Sequence, residues 1–242
     1  LRIAAVGDVH CSKLSAGRYQ AVFEAAGSRA DVLLLCGDLT QRGLPEEARL
    51  LLRELKPVTL PILAVLGNHD FEAGEVDAVM RILEDGGVTL LDGEVWEKDD
   101  VGFAGVKGFG GGFGERALTA WGEPAFKLFV QEATQEALKL ERALSSLRTT
   151  TRVAVLHYAP IAATVVGEPL EIYPFLGSSR LEEPLDRYRV DLTFHGHAHK
   201  GSLEGATRGG RRVYNVALPL LRDTRPEQLP FVVEIPSGKR PG

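Results

Sequence analysis

The stretch Ile3-Ala4-Ala5-Val6-Gly7-Asp8-Val9-His10 sets an unbroken apolar run directly against a glycine, then an aspartate and a histidine two residues apart. An apolar run without polar alternation reads as a strand covered on both faces, with the polar residues standing at its carboxyl end. Working outward along the chain, the arrangement recurs. Val32–Cys36 runs into Gly37-Asp38, and Ile62–Leu66 into Gly67-Asn68-His69-Asp70. Val153–Leu156 runs into His157, and Leu192–Phe194 into His195-Gly196-His197-Ala198-His199. All six histidines of the chain lie in these motifs. In open α/β sheets, ligands bind beyond the carboxyl ends of strands, where separate loops bring side chains to one point.

Helical patterns fall between several of these runs. Pro45 can open a helix in whose turns Ala48, Leu51, Leu52 and Leu55 share one face. A longer helix is predicted from about Glu123 to Leu147, with Phe126, Phe129, Ala133, Ala137, Leu140, Leu144 and Leu147 as its core stripe. Val88–Leu91, Glu94–Glu97 and Phe103–Val106, joined by Asp92-Gly93 and Asp99-Asp100, read as a meander. A further strand pair is expected at Arg212–Val216 and Phe231–Ile235, separated by a loop at Asp223–Pro230. The expected architecture is two packed sheets with helices outside, in one α/β domain over residues 1–242, with 237–242 as a frayed tail. Gly108-Phe109-Gly110-Gly111-Gly112-Phe113-Gly114 lacks both the GxGxxG spacing and a GK[ST]. It reads as a flexible loop whose phenylalanines stand at the rim of a cleft.

Composition narrows the function. A net charge of −5 with no lysine or arginine block argues against a sequence-independent grip on nucleic acid, small fragments excepted. No apolar stretch approaches the length of a membrane span, and no signal peptide is read. The chain begins at Leu1 rather than Met, which reads as a trimmed start. Cys11 and Cys36 form no CxxC, and Cys36 sits inside an apolar run, so a reducing, cytoplasmic setting is expected.

Asp8, His10, Asp38, Asn68, His157, His197 and His199 form a nitrogen and oxygen donor set without thiolate. That set suits Mn, Fe, Zn or Co, with Mn and Fe preferred. Seven donors exceed what one ion takes from protein, so two ions sharing one carboxylate is the economical reading. Such a pair clamps both the attacking and leaving oxygens of a phosphoryl displacement and makes hydroxide available near neutral pH. Gly7, Gly37, Gly67 and Gly196 each precede a candidate ligand or a ligand-bearing turn. His195 matches no ligand position. Arg42, Lys13, Lys107 and Lys200 lie near the motif loops and read as solvated charges.

In this order, Asp-x-His, Gly-Asp…Gly (Gly37-Asp38 to Gly43), Gly-Asn-His-Asp, a lone His and Gly-His-x-His, the motifs resemble the calcineurin-like metallophosphoesterase superfamily. The resemblance implies a four-layer αββα sandwich with two mixed central sheets and a dinuclear centre. It implies that Asp8, His10 and His199 hold one metal, that Asn68, His157 and His197 hold the other, and that Asp38 bridges them. His69 is then the general acid or a stabiliser of the transition state, and Asp70 orients His69. The implied reaction is phosphoester hydrolysis by a metal-bound hydroxide. Gly37-Asp38-Leu39-Thr40-Gln41-Arg42-Gly43 is similar to the bacterial cyclic-nucleotide phosphodiesterase branch, but Tyr158 stands where that branch has a second histidine. The expected activity is therefore a small-molecule phosphodiesterase of broad specificity. A phosphomonoesterase or protein phosphatase is the alternative, and a non-catalytic interaction scaffold the alternative of another class.

Overall fold

The apolar runs are strands, and alternate residues within each face two different layers. In a computed structural model that describes residues 1–235, strand β1 (Arg2–Val6) sends Ile3 and Ala5 to one side and Ala4 and Val6 to the other. Strand β2 (Val32–Cys36) does the same with Val32, Leu34 and Cys36 against Leu33 and Leu35. Both faces are buried, which is why neither strand shows polar alternation.

Helix α1 (Gln20–Arg29) follows β1, and α2 (Pro45–Glu54) follows β2. Then come β3 (Ile62–Val65), α3 (Val76–Asp85) and β4 (Val88–Leu90). Strand β5 (Val95–Lys98) pairs antiparallel with β6 (Val101–Val106) before the long helix α4 (Pro124–Ser146). Strand β7 (Thr151–Leu156) precedes two short helices, α5 (Tyr173–Leu176) and α6 (Glu182–Arg187). The chain continues through β8 (Leu192–His195), β9 (Glu204–Ala206), β10 (Arg212–Asn215), α7 (Leu218–Thr224) and β11 (Phe231–Glu234).

One sheet has the order β11-β1-β2-β3-β4 and the other β5-β6-β7-β8-β10-β9. Each is mixed: β11, β5 and β9 run antiparallel to their neighbours at the edges. Phe23, Leu51 and Leu83, from α1, α2 and α3, cover the outer face of the first sheet. Leu140 and Leu144 of α4 and Leu185 of α6 cover the outer face of the second. Leu34, Leu63, Phe103, Val153 and Phe194 fill the layer between the sheets. The result is the expected four-layer αββα sandwich.

Four local expectations are corrected. The meander does not form: β4 pairs parallel with β3 in the first sheet, while β5 and β6 make a hairpin in the second. The two late strands do not pair with each other. Strand β10 joins β8, and β11 crosses to the other sheet beside β1, where Phe231 reaches the inter-sheet layer. Propensity marks a strand but not which open edge it completes. The segment after Asp223 is not wholly loop, because α7 reaches Thr224 and a turn of 3-10 helix spans Pro226–Gln228. The stripe of α4 is buried at Ala133, Leu140 and Leu144, whereas Phe126 and Phe129 at its start are only partly covered. The expected tail at 237–242 lies outside the described residues.

Candidate metal centre

Every candidate donor stands just beyond a strand's carboxyl end, and the two sheets contribute from opposite sides. Asp8 and His10 follow β1, Asp38 follows β2 and Asn68 follows β3; His157 follows β7, while His197 and His199 follow β8. The loops after β1 and β2 extend their strands' pairing: the amides of Asp8, His10 and Cys11 donate to the carbonyls of Gly37, Asp38 and Leu39 at 2.9–3.0 Å. Asp8, His10, Asp38 and His197 all have positive φ, between 48° and 69°. That left-handed backbone is costly for residues with a side chain and persists where the surroundings over-determine it. Here it turns each side chain off its strand and into the gap between the sheets.

Two glycines allow this crowding. Gly37 has φ +81°, and a Cβ there would run into the His157 ring. A Cβ on Gly67 would meet the Asp38 carboxylate and its backbone nitrogen.

Three donor groups come together. The ligating atoms of Asp8, His10 and His199 lie within 4.8 Å of one another, as do those of Asp38, His157 and His197, and those of His10, Asp38 and His69. Asp38 faces both sides: its Oδ2 is 3.6 Å from His10 Nε2, and its Oδ1 is 3.4 Å from His157 Nε2. Asn68 joins the second group, its Oδ1 3.0 Å from His157 Nε2.

Backbone carbonyls set the tautomers. His157 Nδ1–H donates to Cys36 O at 3.0 Å, so the Nε2 lone pair points at the oxygens of Asn68 and Asp38. His197 Nε2–H donates to Phe175 O at 3.1 Å, leaving Nδ1 as its lone-pair nitrogen. His10 has neither ring nitrogen hydrogen-bonded, although both are buried. Its Nε2 stands 3.6 and 4.0 Å from the carboxylates of Asp38 and Asp8, too far for a hydrogen bond. Converging lone pairs with no donor between them are what a cation satisfies, and ligands about 2.0–2.2 Å from one ion stand roughly 3 Å apart. The residues present fit a metal site.

Electrostatics agree. Burial holds the His10 imidazole down at about 4 and that of His197 at about 3, so both are neutral at pH 7, the ligating form. Burial opposes charge on Asp8, but the His199 hydrogen bond and the neighbouring imidazoles outweigh it and bring the carboxyl to about 2. The same bond, at 2.9 Å, raises His199. A cation there replaces the proton that the pair shares. Burial and then the charge of Asp8 push Asp38 up, against the pull of His157.

His69 lies at the mouth of the site. Its Nδ1–H donates to Gln41 O at 2.8 Å, its Nε2 is 4.0 Å from Asp38 Oδ2, and its ring stands edge-on to His10 with centroids 4.6 Å apart. Asp70 does not orient it. Asp70 is fully buried and accepts from the amides of Leu39, Thr40 and Gly67 and from the Thr40 hydroxyl, at 2.6–3.2 Å. Those four donors fill the carboxylate, which ties the Asp38 loop to the Asn68 loop. The carbonyl of Gln41, which no motif advertises, is what holds the His69 ring.

His195 is apart from the donors, fully buried between Gly196 O (2.7 Å) and Thr164 Oγ1 (2.8 Å). Tyr158 is the neighbour that sequence reasoning did not assign. Its ring lies 4.4 Å from that of His197 and 5.4 Å from that of His157. The glycine run is a loop, but a tied one: the amides of Gly111 and Gly112 donate to Pro174 O and Gly177 O at 2.6 and 2.8 Å. Phe109 within it stacks beside Tyr158 and Phe129. Lys13, Arg42 and Lys200 are exposed, as expected for solvated charges; Lys107 is not.

Comparison with known proteins follows the geometry. The phosphopantetheinyl hydrolase of Mycobacterium tuberculosis superposes with a TM-score of 0.70 at 17% identity, over 99% of this chain and 98% of its own. The protein TT1561 of Thermus thermophilus gives 0.59 at 17% identity, over 90% of each chain. A putative 5'-nucleotidase of Staphylococcus aureus gives 0.51 at 15% identity, over 88% of this chain and 48% of its own. These likenesses are of fold. No curated protein matches the chain by sequence. The model of the calcineurin-like phosphoesterase family matches residues 1–201, which span every strand-end motif described above. The chain therefore belongs to the calcineurin-like phosphoesterase family and is a metal-dependent phosphoester hydrolase.

Proposed function

We propose that this chain is a small-molecule phosphodiesterase working through two metal ions. The observation that carries the reading is the two-sided placement of Asp38, one oxygen toward His10 and the other toward His157. Asp8, His10 and His199 would hold one ion and Asn68, His157 and His197 the other, with Asp38 shared between them. Mn and Fe suit the nitrogen and oxygen donors. Bound ions supply Lewis acidity toward phosphoryl oxygens and lower the pKa of a coordinated water.

The protein's own residues do the rest. Cys36 O and Phe175 O fix the two imidazoles in their ligating tautomers. Asp70 holds the Asp38 and Asn68 loops in register. His69, its Nδ1–H anchored on Gln41 O, faces the site with Nε2; in its doubly protonated form it delivers the Nε2 proton to the departing oxygen and is left as the neutral Nδ1–H ring. The diester reading rests on the likeness of Gly37-Asp38-Leu39-Thr40-Gln41-Arg42-Gly43 to the phosphodiesterase branch. The two free, buried cysteines accord with a reducing compartment and hence the cytoplasm. Among the described residues no helix is long and apolar enough to cross a membrane.

The test is a substrate panel with Mn-loaded protein: bis(p-nitrophenyl) phosphate, p-nitrophenyl phosphate and cyclic nucleotides. Faster turnover of the diester is expected. Turnover confined to the monoester overturns the diester reading, and no turnover with less than one metal per chain favours a scaffold. His69→Ala should slow a diester with a poor leaving group by about 100-fold or more while affecting the nitrophenyl ester less. Equal rates on the poor-leaving-group ester remove the proton-donor role.

A further inference from the structure

Lys107 follows β6 beside the ligand-bearing end of β7, and its carbonyl accepts the amides of His157 and Tyr158 at 3.0 and 3.1 Å. Its ammonium sits among rings. Nζ is 4.8 Å from the centroid of Phe109, 5.4 Å from Tyr158 and 5.7 Å from Phe71. It makes one hydrogen bond, to Gly108 O at 2.9 Å. An ammonium carries three donors, so two remain beside the rings and the pocket that Lys107 lines. Two of the neighbouring acids pair with Lys139, and Glu132 acts on the ammonium only through space. Lys139 holds Asp92 at 2.7 Å and Glu136 at 2.6 Å, and Glu136 also accepts the Gly108 amide.

Lys107 also lines an apolar pocket of about 230 Å³ with Leu66, Phe71, Val76, Met80 and Leu90. Asp77 and the neutralised Asp92 lie on its wall. Leu66 and Phe71 flank Gly67–Asp70, the turn that carries Asn68 and His69. Tyr158 thus neighbours both the His157 and His197 rings and the Lys107 ammonium, and Lys107 in turn lines the pocket.

We propose that Lys107 and this pocket form a subsite for the part of the substrate remote from the reacting phosphate, taking an anionic group on Lys107 and a small apolar body beyond it. The proposal rests on the phosphoesterase reading and narrows the substrate class to phosphoesters that bear a second anion, carboxylate or phosphate, joined to an apolar group. The desolvated ammonium selects the anion, because it regains a charged partner there. The pocket admits the apolar end and nothing long.

The probe is 4-phenylbutyrate, titrated calorimetrically into the full Mn-loaded chain beside 4-phenylbutanol and acetate. Phenylbutyrate should bind about tenfold or more tighter than either. Lys107→Met should erase its advantage over the alcohol, Lys107→Arg should keep it, and Met80→Trp, which fills the pocket, should erase its advantage over acetate. Phenylbutyrate should also raise KM for bis(p-nitrophenyl) phosphate in wild type and not in Lys107→Met. Equal affinity in wild type and Lys107→Met overturns the subsite, since the carboxylate is then held elsewhere, on the metals. A loss of turnover in Lys107→Met equal for all esters, with phenylbutyrate binding unchanged, overturns it too and moves Lys107 to the reacting phosphate. If the loaded chain hydrolyses no phosphoester while the binding pattern holds, the phosphoesterase reading fails and the subsite stands.

Discussion

At the residue scale, two buried aspartates with adjacent places in the fold do different work. Asp38 points its oxygens at imidazole lone pairs, whereas Asp70 spends all four acceptor positions on hydrogen bonds. Asp38→Asn removes the carboxylate that faces both donor groups. Metal retained after dialysis should fall by more than the roughly 10–100-fold that losing a supporting residue costs. Retention of both metals at full rate would refute the bridging role. Asp70→Asn sets an amide against backbone N–H groups that the carboxylate now accepts. It should lower unfolding free energy by about 3 kcal/mol in urea titrations. Its pH–rate profile should keep the wild-type shape, because Asp70 does not touch the His69 ring; a shifted limb would restore the orienting role.

At the scale of elements, the strand ends and their fastenings decide the geometry. Asp31, just before β2, accepts the Arg2 amide at 2.8 Å and pairs with the Arg2 guanidinium at 2.9 Å, locking β1 to β2 at the end remote from the metal centre. The side-chain hydrogen bond from Arg2 brings the Asp31 carboxyl from the ordinary 3.8 to about 2. A carboxyl depressed in the folded state stabilises at pH values above its unfolded pKa, and that contribution disappears as pH falls through the folded value. Wild type should therefore melt above Asp31→Asn at pH 5, and the two melting curves should converge between pH 4 and pH 2. The gap will be small, since both side chains are open to solvent. A constant gap across that range would show that the ion pair is not its source.

At the scale of the whole molecule, the metal centre belongs to neither sheet. Asp8, His10, Asp38 and Asn68 come from one sheet, and His157, His197 and His199 from the other. Their separation is set by the apolar layer between the sheets, where each large side chain contributes about 1.5–3 kcal/mol. Surface ion pairs, at about 0–1 kcal/mol, cannot do this. Phe103 is fully buried in that layer, 5.6 Å from the ring of Trp96. Phe103→Ala should cost about 3–5 kcal/mol in chemical unfolding. We read the described residues 1–235 as one domain on the same ground, since the shared inter-sheet layer takes side chains from β1 through β11.

What the sequence determined by itself was the local grammar. Continuous apolar runs ending in Gly-Asp, Gly-Asn-His-Asp and Gly-His-x-His marked strands buried on both faces and donors at their carboxyl ends, because burial and strand geometry act within a few residues. The ordered motifs carried the family resemblance, and with it the αββα layering and the proposed ligand set. Only the tertiary structure decided which sheet β4, β10 and β11 complete, since an edge strand's partner depends on which hydrogen-bonding edge is open. It alone showed that Asp70 serves Thr40 and Gly67, that carbonyls of Cys36, Gln41 and Phe175 set three imidazoles, and that Lys107 is desolvated among rings. The carbonyl contacts among these join residues up to 121 positions apart through backbone atoms that every residue possesses, so no side-chain pattern announces them.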